Sequence, residues 1–482
     1  MTEPTTPRPA TGKRVAIASV RAAGGAIGIG VAVLAIAVAA LAPLPSLAVT
    51  PSSVVVTPVS TPQQLVCPGA LLRLGNAAGE DATTASSLGD PAVASGTTVG
   101  TPSVTALEGA GAPAVVGGSP DDPDQTGLVS ASQTQYLASP EFSGLATATC
   151  STVSTDAWLV GGSTTVGRTT LVSLANPSEV EATVSLDIYS ENGAVSAPGA
   201  TGIIVPARGQ KVVSLAGYAP DTASPVVHVS STGGLIVATM QQSITHGLFA
   251  AGLDVIASSA NPATSLVIPG LVITTPDDIE SLVSQPDSSQ DLKTAIRLVA
   301  PGGDAGTVTV NVIPESAKDE GASIPVELVG QVAVDVPLEG LSKGNYTVSV
   351  TSDVPIVGAV RNSNASAPDD GAGITDFVWI AAPTPLSTPA AFTVSGGPDA
   401  TAHFGNPGEE AVDVTLTAPD ASTSVISVPA KESVSADVTA GSYQVQAPSA
   451  IVANVSYASS NQAASFPVEP RLADADPITI YP

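Results

Sequence analysis

One block of this chain occurs three times without a gap. Leu174-Ala175-Asn176-Pro177 leads into Thr183-Val184-Ser185-Leu186. At the same spacing from the proline, Val299-Ala300-Pro301-Gly302 leads into Thr307-Val308-Thr309-Val310. Gly405-Asn406-Pro407-Gly408 leads likewise into Asp413-Val414-Thr415-Leu416. Each block is a turn followed by a strand of alternating polarity, so the chain reads as an array of small all-β units.

The copies share later elements too. Ile204-Val205-Pro206-Ala207, Ile324-Pro325-Val326 and Val428-Pro429-Ala430 each precede an alternating run. Each copy then reaches an apolar strand, Leu235–Thr239, Ile356–Val360 or Ile451–Val455. Period-two alternation with Gly, Pro or Asn turns every dozen or so residues predicts tandem immunoglobulin-like β-sandwich domains. Ile279 to Leu292 is the best helical window outside the N-terminus, but Pro286-Asp287 favours a linker. The expected divisions are a basic tail at 1–21, an apolar segment at 22–42, a divergent β domain at 49–165, and sandwiches at 166–285, 286–391 and 392–482. Gly144–Cys150 resembles the late apolar strands and makes the first domain a divergent fourth copy. Residues 76–135 read as long loops with short strands.

The N-terminus predicts a membrane segment. Arg8, Lys13, Arg14 and Arg21 precede an uncharged run from Ala22 to Ala42. As a helix that run would span about 30 Å, the thickness of the hydrocarbon layer. Positive charge before the span predicts one transmembrane helix with the N-terminus inside. The competing reading is a signal peptide cut after Ser46-Leu47-Ala48, which would release the chain.

Of the 482 residues only 12% are charged, and the net charge is −27. Such a chain repels nucleic acid, so no nucleic-acid partner is expected. An export signal implies an oxidising compartment, where the two cysteines, Cys67 and Cys150, are expected to form a disulfide. In the chain-entropy model so long a loop contributes about 4–5 kcal/mol.

No motif for catalysis or cofactor binding stands out. The tryptophans Trp158 and Trp379 each follow an acid, Asp156 and Asp376. These four residues could form a ligand platform or plug the joints between domains. Aromatics make up only 3% of the chain, which favours the joints. The histidines are His228, His246 and His403; Asp221 and His228 with a serine could be imagined as a triad, but any Ser-rich chain offers that. Asp121-Asp122-Pro123-Asp124, Asp277-Asp278, Asp369-Asp370 and Asp474-Ala475-Asp476 lack calcium-loop spacing, so neither a metal nor a cofactor is assigned.

The basic N-terminus and apolar span, Cys67-Pro68-Gly69, Trp158-Leu159-Val160-Gly161-Gly162 and Leu174-Ala175-Asn176-Pro177 resemble an uncharacterised actinobacterial family of secreted or membrane-anchored envelope proteins, a domain of unknown function. The resemblance implies a cell-envelope location and no catalytic residue. The expectation is a non-catalytic, membrane-anchored scaffold or adhesion module that meets wall polymer or another envelope protein. A polysaccharide-binding module serving a biosynthetic enzyme is the second reading, and a hydrolase the third. Sequencing the mature N-terminus separates anchor from secretion: a start at Val49 is expected only if the segment is cleaved.

Overall fold

The computed structural model describes residues 25–36, 54–56, 63–75, 81, 84–119, 127–284, 290–315, 321–366, 374–386, 389–470 and 478–480. The chain divides into two compact units, Met1–Val59 with Ala475–Pro482, and Ser60–Asp474. In the small unit a helix covers 25–36, and Val54–Val56 pairs antiparallel with Ile478–Ile480. No helix among the described residues is long and apolar enough to cross a membrane. The remainder of the expected span, 22–24 and 37–42, lies outside them.

The large unit holds four β modules. The last shows the plan most plainly. One sheet has the order Ala390–Val394, Gly441–Gln446, Val412–Thr417, Thr423–Val428, and the other Ser433–Asp437, Thr401–Gly405, Val452–Ala458, Ala463–Pro467. Alternation sends Phe392, Val414 and Val445 from one sheet and Phe404, Val455 and Phe466 from the other into one buried core. The second module repeats this with Asp156–Val160 as its opening strand and Phe249–Ile256 as its closing strand. Asp156–Val160 thus pairs across the expected boundary at 166. Ala263–Ile273 pairs with Gly344–Ser366 and opens the third module, although it lies before residue 285.

The Asn-Pro blocks are turns held by the asparagine side chain. Asn176 donates Nδ2–H to the carbonyls of Val180 (2.8 Å) and Val205 (3.3 Å), and its Oδ1 accepts the Ser178 amide (3.0 Å). Asn406 does the same toward Glu410 and Val428, and accepts the Gly408 amide. Each links the start of one strand to the Val-Pro that ends another. Arg208, Gln331 and Lys431 adopt left-handed φ of 50°, 64° and 59° in the matching later turn. In the third module that turn therefore falls at Gln331, and Ile324-Pro325-Val326 lies inside the strand Ala322–Leu328.

Three further expectations are corrected. Ile356–Val360 is part of one longer continuous strand, Gly344–Ser366, whose two halves serve different sheets. The expected linker begins with an α-helix, Pro276–Val283, which has Pro276 at its first turn and Asp277 and Asp278 at its positive end. Ser143–Thr149 is a closing strand hairpinned to Val129–Ala138, whereas the strands it resembles in sequence are penultimate. The first module is reduced. Gln64–Val66 pairs with Ala114–Ser119, and Ala92–Thr97 with Val129–Ala138. Its small core contains the Cys67–Cys150 disulfide, with Cα atoms 3.9 Å apart.

The modules close on one another. Strands Ser143–Thr149, Phe249–Ile256, Ile374–Ala381 and Ala463–Pro467 touch in a circuit, each meeting the next and the last meeting the first. Each closing strand also packs on the module before it. Leu253 and Val255 join Leu71 and Ala146 of the first module, and Phe377 and Trp379 join the second module's core. Ala463 joins the third module's core, and Leu145 of the first joins the fourth's. Opening strands complete the joints: Val66 packs with Ala175 and Val237, and Ala390–Val394 lies along Val129–Ala138. The four modules therefore form a ring, not a string. Leu145→Ala is expected to destabilise the protein by about 2–4 kcal/mol. Hydrogen exchange should rise in the fourth module, at Phe392 and Phe404, and not only around residue 145.

Candidate functional site

The ring closes on one carboxylate. Asp376 is fully buried in its closing strand. Its Oδ2 accepts the amide N–H of Leu145 (2.9 Å) and of Ala463 (3.2 Å), and its Oδ1 that of Leu253 (3.3 Å). Three other modules thus donate to the third module's acid. Gly144 and Gly252 permit the approach, since a Cβ on either would lie within 3.1 Å of Asp376 Oδ1. Burial pushes this carboxyl up to about 8, against the backbone N–H donors, which favour the charged form. Asp254, one strand away, is also raised well above the usual range by burial, and the Asp376 charge adds to that.

Trp379 belongs to the same junction. Its amide donates to Asp254 Oδ2 (2.7 Å), and its indole N–H to Gln242 Oε1 (2.7 Å). The buried Arg297 guanidinium sits 4.6 Å over the ring, pairs with Asp335 at 2.7 and 2.9 Å, and donates to the carbonyls of Gly162, Pro225 and Ala223. All its donor directions are used, three of them across the joint of the second and third modules. Against the cost of burial, Arg297 holds Asp335 below the carboxylate range. Nearby, His246 and Arg168 hold Asp291 at about 2, although burial opposes them.

Trp158 lies elsewhere, in the second module's opening strand, so the tryptophans are not structural equivalents. Its indole is buried and stacks on His228, with centroids 4.3 Å apart. His228 bridges Asp156 (2.6 Å) and Asp187 (3.2 Å) through opposite ring nitrogens. The imagined Asp221–His228 pairing is absent from these contacts. No indole face is open as a ligand platform.

The sequence reading missed a third cluster. His403 receives or donates bonds at both nitrogens, to Glu315 Oε2 (2.7 Å) and to Ser456 Oγ (2.7 Å). This is the connectivity of a nucleophile, base and acid. All three residues are buried, and Glu315 also accepts the Gly270 amide and the Thr347 hydroxyl. A substrate carbonyl has no path to Ser456, so the cluster clamps the third module to the fourth. Among the described residues no group of three His, Cys, Asp or Glu is placed to hold a metal ion. Asp277 and Asp278 serve the helix N-terminus, while Asp121, Asp122, Asp124, Asp369, Asp370, Asp474 and Asp476 lie outside the described residues.

A family model described as a family of unknown function, DUF5719, matches residues 104–448. The chain belongs to DUF5719. The matched stretch contains the closing strands of the first three modules, and the family's description assigns them no activity. No curated protein matches the DUF5719 chain. It is weakly similar to a solved structure described as a biofilm associated protein BSP domain, at 11% identity and TM-score 0.12, covering 78% of this chain and 67% of that one. A tetra-tandem repeat from the extending region of a large adhesion protein gives 14% identity and TM-score 0.10, covering 85% and 98%. Likenesses this slight carry no argument about fold or role.

The buried acids fix a pH dependence. An unfolded Asp376 loses its proton near pH 4, whereas the folded one keeps it to about pH 8. The folded state binds more protons between those values, so stability should fall as pH rises through that window. Asp291 acts oppositely, and its contribution is lost as pH falls from about 4 to about 2. Denaturant titrations should show maximal stability near pH 4–5, and Asp376→Asn should flatten the slope from pH 5 to 8. His403→Ala leaves Glu315 buried without its ring partner and is expected to cost about 3–5 kcal/mol by the same measurement.

Proposed function

We propose that the DUF5719 chain is a non-catalytic cell-envelope protein, a membrane-anchored scaffold or adhesion module facing outward. The carrying observation is the use made of its reactive groups. Asp376, Trp379, Arg297 and the His403 cluster are all engaged inside the ring, where they hold modules together. Anchoring rests on the basic residues before the apolar run at 22–42, and location outside the cytoplasm is supported by the Cys67–Cys150 disulfide.

The contact surface of such a scaffold is its rim. Thr101–Ala106, Ala322–Leu328 and Thr423–Val428 are edge strands of their sheets. Val104 and Val425 stand 54% and 66% exposed on two of them. Edge strands offer free backbone groups to a partner, and the exposed valines add apolar contact. A photo-crosslinking residue at Val104 or Val425 should yield discrete adducts with envelope components in intact cells. Absence of adducts at both positions would remove this reading.

A further inference from the structure

Where the chain leaves its four closing strands it forms an open cavity of about 760 Å³. Segments from 151–154, 258–263, 383–385 and 467–470 line it, directly after the strands ending at 149, 256, 381 and 467. The cavity is therefore an axial feature of the closed ring, built by all four modules. We propose that it binds a neutral glycan segment.

The lining chemistry selects the ligand. Asn261, Ser265 and Thr384 present an amide and hydroxyls that both donate and accept, while Ser151, Ser154 and Ser258 are engaged with Glu469, Asp156 and Trp158 and shape the wall. Sugar hydroxyls require that mixture. Among the described residues no Lys, Arg or His lines the cavity, so the described wall gives a phosphorylated or sulfated polymer no counter-charge. The two acids present are committed: Asp156 to His228, and Glu469 to the Thr152 amide at 3.1 Å. Burial raises Glu469, which favours its hydrogen-donating neutral form. Pro262, Pro385 and Pro470 supply rigid C–H surface for the apolar faces of sugar rings, in place of an aromatic platform. The prolines of this wall lose little freedom when a ligand binds. The volume lies within the usual range for small-ligand sites.

The proposal names one ligand for the scaffold described above, and it stands or falls independently of the rim contacts and of anchoring. The test uses the full chain in detergent, titrated with cellotetraose, chitotetraose and an arabinan tetrasaccharide, with polyphosphate as the anionic counterpart. Saturation-transfer NMR and calorimetry should give a Kd below about 1 mM for at least one neutral glycan and no polyphosphate binding. Asn261→Trp and Ser265→Trp place bulk at exposed lining positions, and each should weaken glycan binding at least tenfold with melting unchanged. The proposal is overturned if no neutral glycan binds, if polyphosphate binds instead, or if both tryptophan variants fold and bind as well as the parent. In those cases adducts at Val104 or Val425 would still support the scaffold reading.

Discussion

Everything in the large unit depends on bringing four closing strands around one buried carboxylate. An isolated acid in a protein interior is costly, and Asp376 has no cation beside it. Its compensation is amide N–H groups from the other three modules. Each donor is contributed by backbone, so no side-chain chemistry has to match across the joints; only close approach is needed. Gly144 and Gly252 provide it. The acid thus converts three separate contacts into one shared contact, and loss of any strand removes one of the donors that offset its burial.

The exchange of closing strands adds the hydrophobic part. A module that lends its last strand to the core of its predecessor cannot bury its apolar surface alone. This applies most strongly to the first module, whose own core holds little beyond Leu65, Val116, Val129 and the disulfide. The disulfide joins the end of the opening strand region to the end of the closing strand, Cys67 to Cys150. It holds together the module that must reach around and insert Leu145 into the fourth. Polar clamps then fix orientation at two of the joints: Arg297 donating to the carbonyls of Gly162, Pro225 and Ala223 between the third and second modules, and His403 with Glu315 between the fourth and third. Buried charges placed so are poor sources of net stability but strict about geometry.

The local rules were legible in sequence because their causes are local. Alternation at Val412–Thr417 or Ala182–Ser190 reports one buried face, and the Asn-Pro blocks report a side chain bonding its own turn. The ring was not legible, since nothing near Leu145 in the sequence states that its core lies some 250 residues further on. Pattern also misled where two causes give one composition. Trp158 and Trp379 both follow acids, yet one stacks on a histidine in an opening strand and the other anchors a closing strand. Pro325 mimicked the Val-Pro turn of its neighbours while lying within a sheet-edge strand, where a missing N–H is tolerated. The signal that could have pointed to the junction was Thr375-Asp376-Phe377, an acid in an otherwise apolar run, together with glycines placed before Leu145 and Leu253.

Ring closure also changes what kind of scaffold this can be. A string of sandwiches reaches far and bends at its linkers, with each module presenting its own surface. In the ring, the linkers converge on an axial cavity, and the closing strands that make the shared contacts are edge strands whose free side is taken up by the junction. The three covalent joints are tethered, whereas the joint between the first and fourth modules is held by Leu145, by the Ser130–Thr393 hydroxyl pair and by Glu469 accepting the Thr152 amide. Because those contacts close a circuit already three-quarters tethered, they form at high effective concentration, and modest individual contacts suffice to keep the ring shut. A cavity whose walls come from every module then exists only while that last joint is made, so any ligand held there favours the closed state by RT ln(1 + c/Kd), which grows with its free concentration c.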